Sequence, residues 1–239
     1  MKVVIIFILC LLALFVLWLL VGIICALFVD KTKDCKKSEW IYRFYAACII
    51  YIVKHIMRIK LHISGEELLP DRNFLLVGNH RSAFDPILEM GYLSKYNLGF
   101  VAKKELFDIP IIGRIMHKRF CLSLDRDNPR SELQTVLKAI ETIKSGVASI
   151  GIYPEGTRNT TDTLLPFKVG AFKIAQKAEC PIVVAVIRNS EKVKDNAPFT
   201  RTDVYLDFVG VLDTGFIKQH KTAQISDVVR EMIESKLKS

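Results

Sequence analysis

Residues 3–29, VVIIFILCLLALFVLWLLVGIICALFV, are 27 consecutive positions without a charge. A helix over this run, rising about 1.5 Å per residue, is longer than the roughly 30 Å hydrocarbon core of a bilayer. The run therefore predicts a membrane-associated chain, with the helix either crossing with tilt or lying partly in the interface. Its apolar part is about twice a secretory signal's, and no small-x-small cleavage pattern precedes the basic flank. Lys31, Lys33, Lys36 and Lys37 follow at once, whereas Lys2 is the only charged side chain before Asp30. The positive-inside rule then places everything after the run in the cytoplasm.

Residues 39–58, EWIYRFYAACIIYIVKHIMR, mix apolar and basic positions. Trp and Tyr near one end with Lys54, His55 and Arg58 at the other fit a helix at headgroup level, or a second, shorter inserted helix. His55 and His62 read as surface or interface histidines. Residues 1–58 thus form a membrane-anchoring region and 59–239 a single domain, long enough to bury a full core.

The formal net charge is +9. A basic surface suits nucleic acid, anionic lipid or an acidic carrier protein. The apolar run favours the last two, and no arginine-rich tract or zinc-finger spacing points to nucleic acid. The six cysteines show no CxxC or regular spacing, which predicts small buried hydrophobes in a reducing compartment.

Short apolar runs alternate with helical patterns along the rest of the chain. Strands are expected at 59–65, 74–78, 98–102, 120–124, 147–153 and 181–187, with another carrying Val204, Leu206 and Phe208. Helices are expected after Pro86, at 131–145, from about 170 to 178, and at the C-terminus through Ile225, Val229 and Ile233. No linker or repeat interrupts this order, so one α/β domain is predicted.

The expected strands 98–102 and 120–124 end in charged residues, Lys103 and Asp125, as a site built from strand ends should. After 74–78 comes NHRSAFDP, residues 79–86, with His80 and Asp85 where a strand hands over to a helix. In open α/β sheets ligands bind beyond the carboxyl ends of strands. A carboxylate at the helix start can hold one imidazole nitrogen and leave the other as a base for a hydroxyl. The spacing alone fits a structural helix-entry histidine equally well. After 147–153 comes PEGTR, residues 154–158. Gly156 allows close backbone approach to a ligand, and Arg158 offers a planar fork suited to phosphate. Glu155 would repel a phosphate unless it holds Arg158 or a substrate hydroxyl.

Taken in order, NHRSAFD, FVAKKELFDIPIIG, LDR, YPEGTR, PFKVGAF and PIVVAVI resemble the blocks of the glycerolipid acyltransferases, most nearly the bacterial 1-acylglycerol-3-phosphate (lysophosphatidate) acyltransferases. The resemblance covers roughly residues 60–210. It implies a single mixed-sheet α/β acyltransferase domain with helices on both faces, behind one membrane helix or a two-helix membrane motif. It implies transfer of a fatty acyl chain from acyl-coenzyme A or acyl carrier protein to the 2-hydroxyl of lysophosphatidate, giving phosphatidate, with no cofactor or metal.

By position, His80 resembles the general base and Asp85 its orienting partner. Glu155, Gly156, Thr157 and Arg158 resemble the acceptor-binding block, with Lys103 and Arg126, or Lys104 in place of Lys103, near the phosphate. Val184 departs from the family pattern, which often has a proline there.

No Ser or Cys sits in a nucleophile elbow, so direct attack of the hydroxyl on the thioester is expected, with backbone amides near the helix start as candidates for the oxyanion. The alternatives are a sibling enzyme acting on glycerol-3-phosphate, another lysophospholipid or a lyso-aminolipid, and a lipid-phosphate binding protein without catalysis.

Overall fold

The computed structural model describes residues 2–238 other than 32, 34, 36, 38 and 162; Lys36 of the basic flank lies outside the described residues. The apolar run forms one helix, α1 (Lys2–Leu27), followed by α2 (Trp40–Ile56). Then come β1 (Ile59–Ser64), β2 (Leu75–Gly78), α3 (Asp85–Tyr92), β3 (Gly99–Lys103), α4 (Lys104–Asp108), α5 (Ile112–Lys118) and β4 (Leu122–Leu124). The second half has α6 (Pro129–Lys144), β5 (Ile150–Ile152), α7 (Lys173–Ala178), β6 (Ile182–Arg188), α8 (Val193–Asn196), β7 (Thr202–Leu212), α9 (Thr214–Gln219) and α10 (Thr222–Leu237).

The strands make one mixed sheet in the order β1-β7-β6-β2-β5-β3-β4. Strands β2 to β6 run parallel, while β7 is antiparallel to β6 and carries β1 parallel to itself. The carboxyl ends of β2, β5, β3 and β4 therefore open side by side on one edge. Val184 sits where the register of β6 against β7 shifts.

Alternation along the strands sorts the core into two faces. Leu75, Val77, Ile150, Ile182 and Val184 pack with Ile143 of α6, Ile174 of α7 and Val229 and Ile233 of α10. Phe74, Leu76, Phe100, Val183, Leu206 and Phe208 point the other way, with Leu93 and Tyr96 from the segment after α3. Helices thus cover both faces, as expected. The helix expected from 131 begins two residues earlier at Pro129, because the Asn128 side chain accepts from the amides of Arg130 and Ser131.

Helix α1 contains a stretch, Val4–Leu27, long and apolar enough to cross a membrane. Helix α2 packs antiparallel to it: the Tyr42 and Tyr45 hydroxyls donate to the carbonyls of Cys25 and Trp18, each at 3.1 Å. Gly22 makes room for this, since a Cβ there would lie 2.8 Å from the Tyr45 ring. These tyrosines turn toward α1, while Trp40, Phe44 and Tyr51 stay exposed. The expectation for the cysteines is corrected in part. Cys121 and Cys180 are buried, but Cys25, Cys35 and Cys48 are only partly covered and Cys10 lies on the exposed apolar surface of α1.

Candidate active site

The turn after β2 is held before any function is considered. The Asn79 side chain donates to the carbonyl of Ile187 (2.9 Å) and accepts from its amide (2.8 Å), extending the β2–β6 pairing by one residue. The His80 carbonyl accepts from the Asn159 amide at 2.7 Å. The imidazole therefore starts from a backbone fixed on both sides, between β6 and the loop after β5.

Asp85 is fully buried in the first turn of α3. Its Oδ2 accepts from His80 Nδ1 at 2.8 Å and from the amides of Arg81 and Ser82, each at 2.7 Å. Three donors thus converge on one carboxylate oxygen at the start of a helix. With the Nδ1 proton committed to Asp85, His80 Nε2 carries the lone pair. Among the described residues Nε2 makes no hydrogen bond, and the side chain is 17% exposed. This nitrogen is presented toward solvent beyond the end of β2. The amides of Arg81 and Ser82 are already used by Asp85, so the expectation that helix-start amides hold an oxyanion does not extend to these two.

Tyr153 and Glu89 escaped the sequence reading. The Tyr153 ring lies parallel to the imidazole, with centroids 4.1 Å apart and planes 4° apart, and its other side meets Phe100. Its hydroxyl donates to Glu89 Oε2 at 2.6 Å. Burial raises the Glu89 carboxyl well above its usual range, and burial together with the neighbouring Glu89 raises the Tyr153 phenol. Tyr153 is therefore a neutral phenol, pinned at its far end and fixing the plane of the imidazole. A signal existed: Glu89 stands four residues after Asp85, on the same side of a short helix as the dyad carboxylate.

Glu155 overturns its expected partner. It is buried; Oε2 accepts from Asn159 Nδ2 and the Leu165 amide, each at 2.9 Å, and Oε1 accepts from the His80 amide at 3.4 Å. It thus holds the 155–165 loop against the His80 turn and does not hold Arg158. Inward orientation removes the like-charge conflict with a phosphate. Thr157 and Arg158 are exposed on the outer side of the turn. Gly156 has φ +71°, and a Cβ there would lie 3.0 Å from Lys168 Cε, so local backbone geometry and the lysine chain already account for the glycine. Lys168, unassigned from sequence, brings one more cation over the turn. Arg81 is spoken for: it bonds Glu191 at 2.8 Å and the carbonyls of Thr160 and Thr161.

Lys103 and Arg126 lie at the ends of β3 and β4 on the same edge. Lys103 pairs with Glu105 at 2.9 Å and Lys104 with Asp125 at 3.2 Å, both in solvent. Among the described residues, Arg126 and Arg158 make no ion pair or hydrogen bond through their side chains. No group of three His, Cys, Asp or Glu side chains among them is placed to hold a metal ion.

The family model described as Acyltransferase matches residues 60–188, which contain His80, Asp85, Glu89, Lys103, Arg126, Tyr153 and residues 155–158. The chain belongs to the acyltransferase family. An acyltransferase relative from Saccharomyces cerevisiae, named 1-acyl-sn-glycerol-3-phosphate acyltransferase, is 27% identical over 221 residues, 91% of this chain and 72% of that one. One of the same name from Borreliella burgdorferi is 28% identical over 186 residues, 76% of this chain and 73% of its own. The crystal structure of the 1-acyl-sn-glycerophosphate (LPA) acyltransferase PlsC from Thermotoga maritima shares the acyltransferase fold. Its TM-score is 0.68 at 24% identity, covering 82% of this chain and 78% of that one.

Proposed function

We propose that this acyltransferase moves a fatty acyl chain from acyl-coenzyme A or acyl carrier protein to the 2-hydroxyl of lysophosphatidate, giving phosphatidate. The observation that carries the reading is an Asp85-steadied imidazole whose Nε2 is without a partner among the described residues, on the same sheet edge as Arg158 and Arg126, whose guanidiniums are likewise without a partner among them. The names of the yeast and bacterial relatives support the acceptor.

His80 Nε2 takes the hydroxyl proton as that oxygen attacks the thioester carbonyl carbon. The tetrahedral adduct collapses, the carbon–sulfur bond breaks, and the imidazolium returns the proton to the leaving thiolate. Asp85 stabilises the imidazolium between these steps.

The cations fix the phosphate and so place the hydroxyl. Strand spacing ranks them. Neighbouring strands lie about 4.8 Å apart, so β5, which leads to Arg158, is one spacing from β2, β3, which ends at Lys103, is roughly 10 Å away, and β4, which leads to Arg126, is roughly 14 Å away. Arg158 and Lys103 are the nearer phosphate ligands and Arg126 the outer one. Residues 1–58 anchor the domain to the cytoplasmic side of the membrane, where an acceptor in the leaflet meets a donor from solution, and the basic excess attracts anionic headgroups.

A donor-by-acceptor matrix with protein in lipid tests this. Lysophosphatidate is expected to be the acceptor acylated fastest, well ahead of glycerol-3-phosphate and of lysophospholipids whose phosphate is capped. Preference for any of those would overturn the acceptor assignment. Tyr153→Ala removes the imidazole's stacking partner and is expected to lower kcat roughly ten- to a hundredfold with KM little changed. Tyr153→Phe keeps the ring and most of kcat, while an unpartnered Glu89 costs about 1–3 kcal/mol, read from thermal denaturation.

A further inference from the structure

The turn between α4 and α5 exposes apolar side chains that no part of the fold covers. Leu106 is 43% exposed, Ile109 40% and Ile112 51%, with Pro110 exposed among them, while Phe107 faces the core. Asp108 is also exposed, but at 3.6 residues per turn it stands about 200° around α4 from Leu106.

This apolar tip is fastened to the end of the membrane helix. Arg114 Nη1 donates to the carbonyls of Ala26 (3.3 Å) and Leu27 (3.0 Å) at the end of α1, the Ala26 carbonyl also accepting from the Val29 amide. Lys31 Nζ donates to the Phe107 carbonyl at 3.0 Å, and His117 Nε2 meets the Lys33 carbonyl at 2.9 Å. The tip therefore lies at the level where α1 ends, continuous with the exposed Leu27 and Phe28. Basic side chains lie at that level: Lys31 and Arg114 through the bonds just given, and Lys33, which pairs with Asp30 at 3.5 Å. An apolar tip beneath a cationic collar is the pattern of a segment seated in the headgroup–acyl boundary of an anionic leaflet.

We propose that the α4–α5 turn is a separate lipid-inserting shoulder, with Leu106, Ile109 and Ile112 entering the leaflet that α1 enters. Its partner is the bilayer. Because α4 begins immediately after Lys103, the shoulder joins the leaflet directly to the cationic edge of the site, giving the acceptor's acyl chain an apolar bed while its phosphate meets the strand ends. The inference rests on the reading of the chain as a membrane-lipid acyltransferase, and its test reads neither acyl transfer nor α1 alone.

Three full-length proteins in anionic vesicles made with lipid brominated high on the acyl chain decide it. W40F retains Trp18 in α1 as the only tryptophan. I109W and L137W are each made with W18F and W40F, Leu137 being exposed on α6 against the opposite face of the sheet. The expected result is loss of most Trp18 and I109W emission, with L137W unquenched by lipid and open to an aqueous quencher. Quenching of Trp18 with I109W as water-accessible as L137W would overturn the shoulder and leave the membrane reading standing. No quenching of Trp18 would overturn the membrane reading itself. Protection of I109W without lipid, growing with protein concentration, would assign the tip to a second copy of the chain and also overturn the proposal. I112W in the same background provides an independent reporter.

Discussion

His80→Ala is expected to lower kcat by at least about a hundredfold, the lower range for loss of a general acid–base group. The fold should survive. The imidazole is partly exposed, and the Asp85 carboxylate keeps the amides of Arg81 and Ser82 when the ring is gone. Steady-state rates alongside a thermal melt separate the two effects. A variant that melts normally and still transfers acyl groups at near wild-type rate would remove His80 from the chemistry and leave a binding protein or another base. Asp85→Ala is the worse probe of the same idea, since it strands three donors at once.

Glu155→Ala is expected to fail differently. Its carboxylate collects the Asn159 side chain and the amides of Leu165 and His80, all at the junction of the two site loops. Unsatisfied buried donors cost about 1–3 kcal/mol each; Asn159 keeps its bond to the Thr163 carbonyl and the His80 contact is long, so a total loss of roughly 2–5 kcal/mol is expected. In a chain of this size that is a fall in Tm of about 4–20 °C. Activity should fall with it, because the loop that carries Arg158 and the turn that carries His80 lose their shared tie. A stable Glu155→Ala with a raised KM and unchanged kcat would instead make Glu155 a direct acceptor ligand, as the sequence reading expected. Calorimetry together with a KM-against-kcat comparison distinguishes the two.

The central strands of the sheet were legible because β2, β3, β5 and β6 are short apolar runs closed by Gly, Pro or charge, while β1 and β7 alternate apolar with polar residues. The run 147–153 was read too long: only Ile150–Ile152 is strand, since Ser149 is spent on crosswise bonds with Tyr96 and Gly99. Helices α5, α8 and α9 were missed. Four to seven residues give too few turns for a periodic pattern, and their stability comes from packing. The pairing of His80 with Asp85 was legible because they lie five residues apart and their bond spans 2.8 Å. Tyr153 was missed as a partner because stacking across two strands leaves no mark on spacing.

Sequence alone determined the apolar helix, the strand–helix alternation, the His–Asp pair at a strand end and the order of the blocks that marks an acyltransferase. These are all local, written in residue type and short-range periodicity. Tertiary structure decided which carboxylate does what. Asp85 and Glu155 are both acids beside the same strand-end edge, yet one is wrapped around an imidazole and the other around a loop. A side chain's role follows from the donors that surround it once strands 70 residues apart are laid side by side, and that neighbourhood exists only in the folded chain.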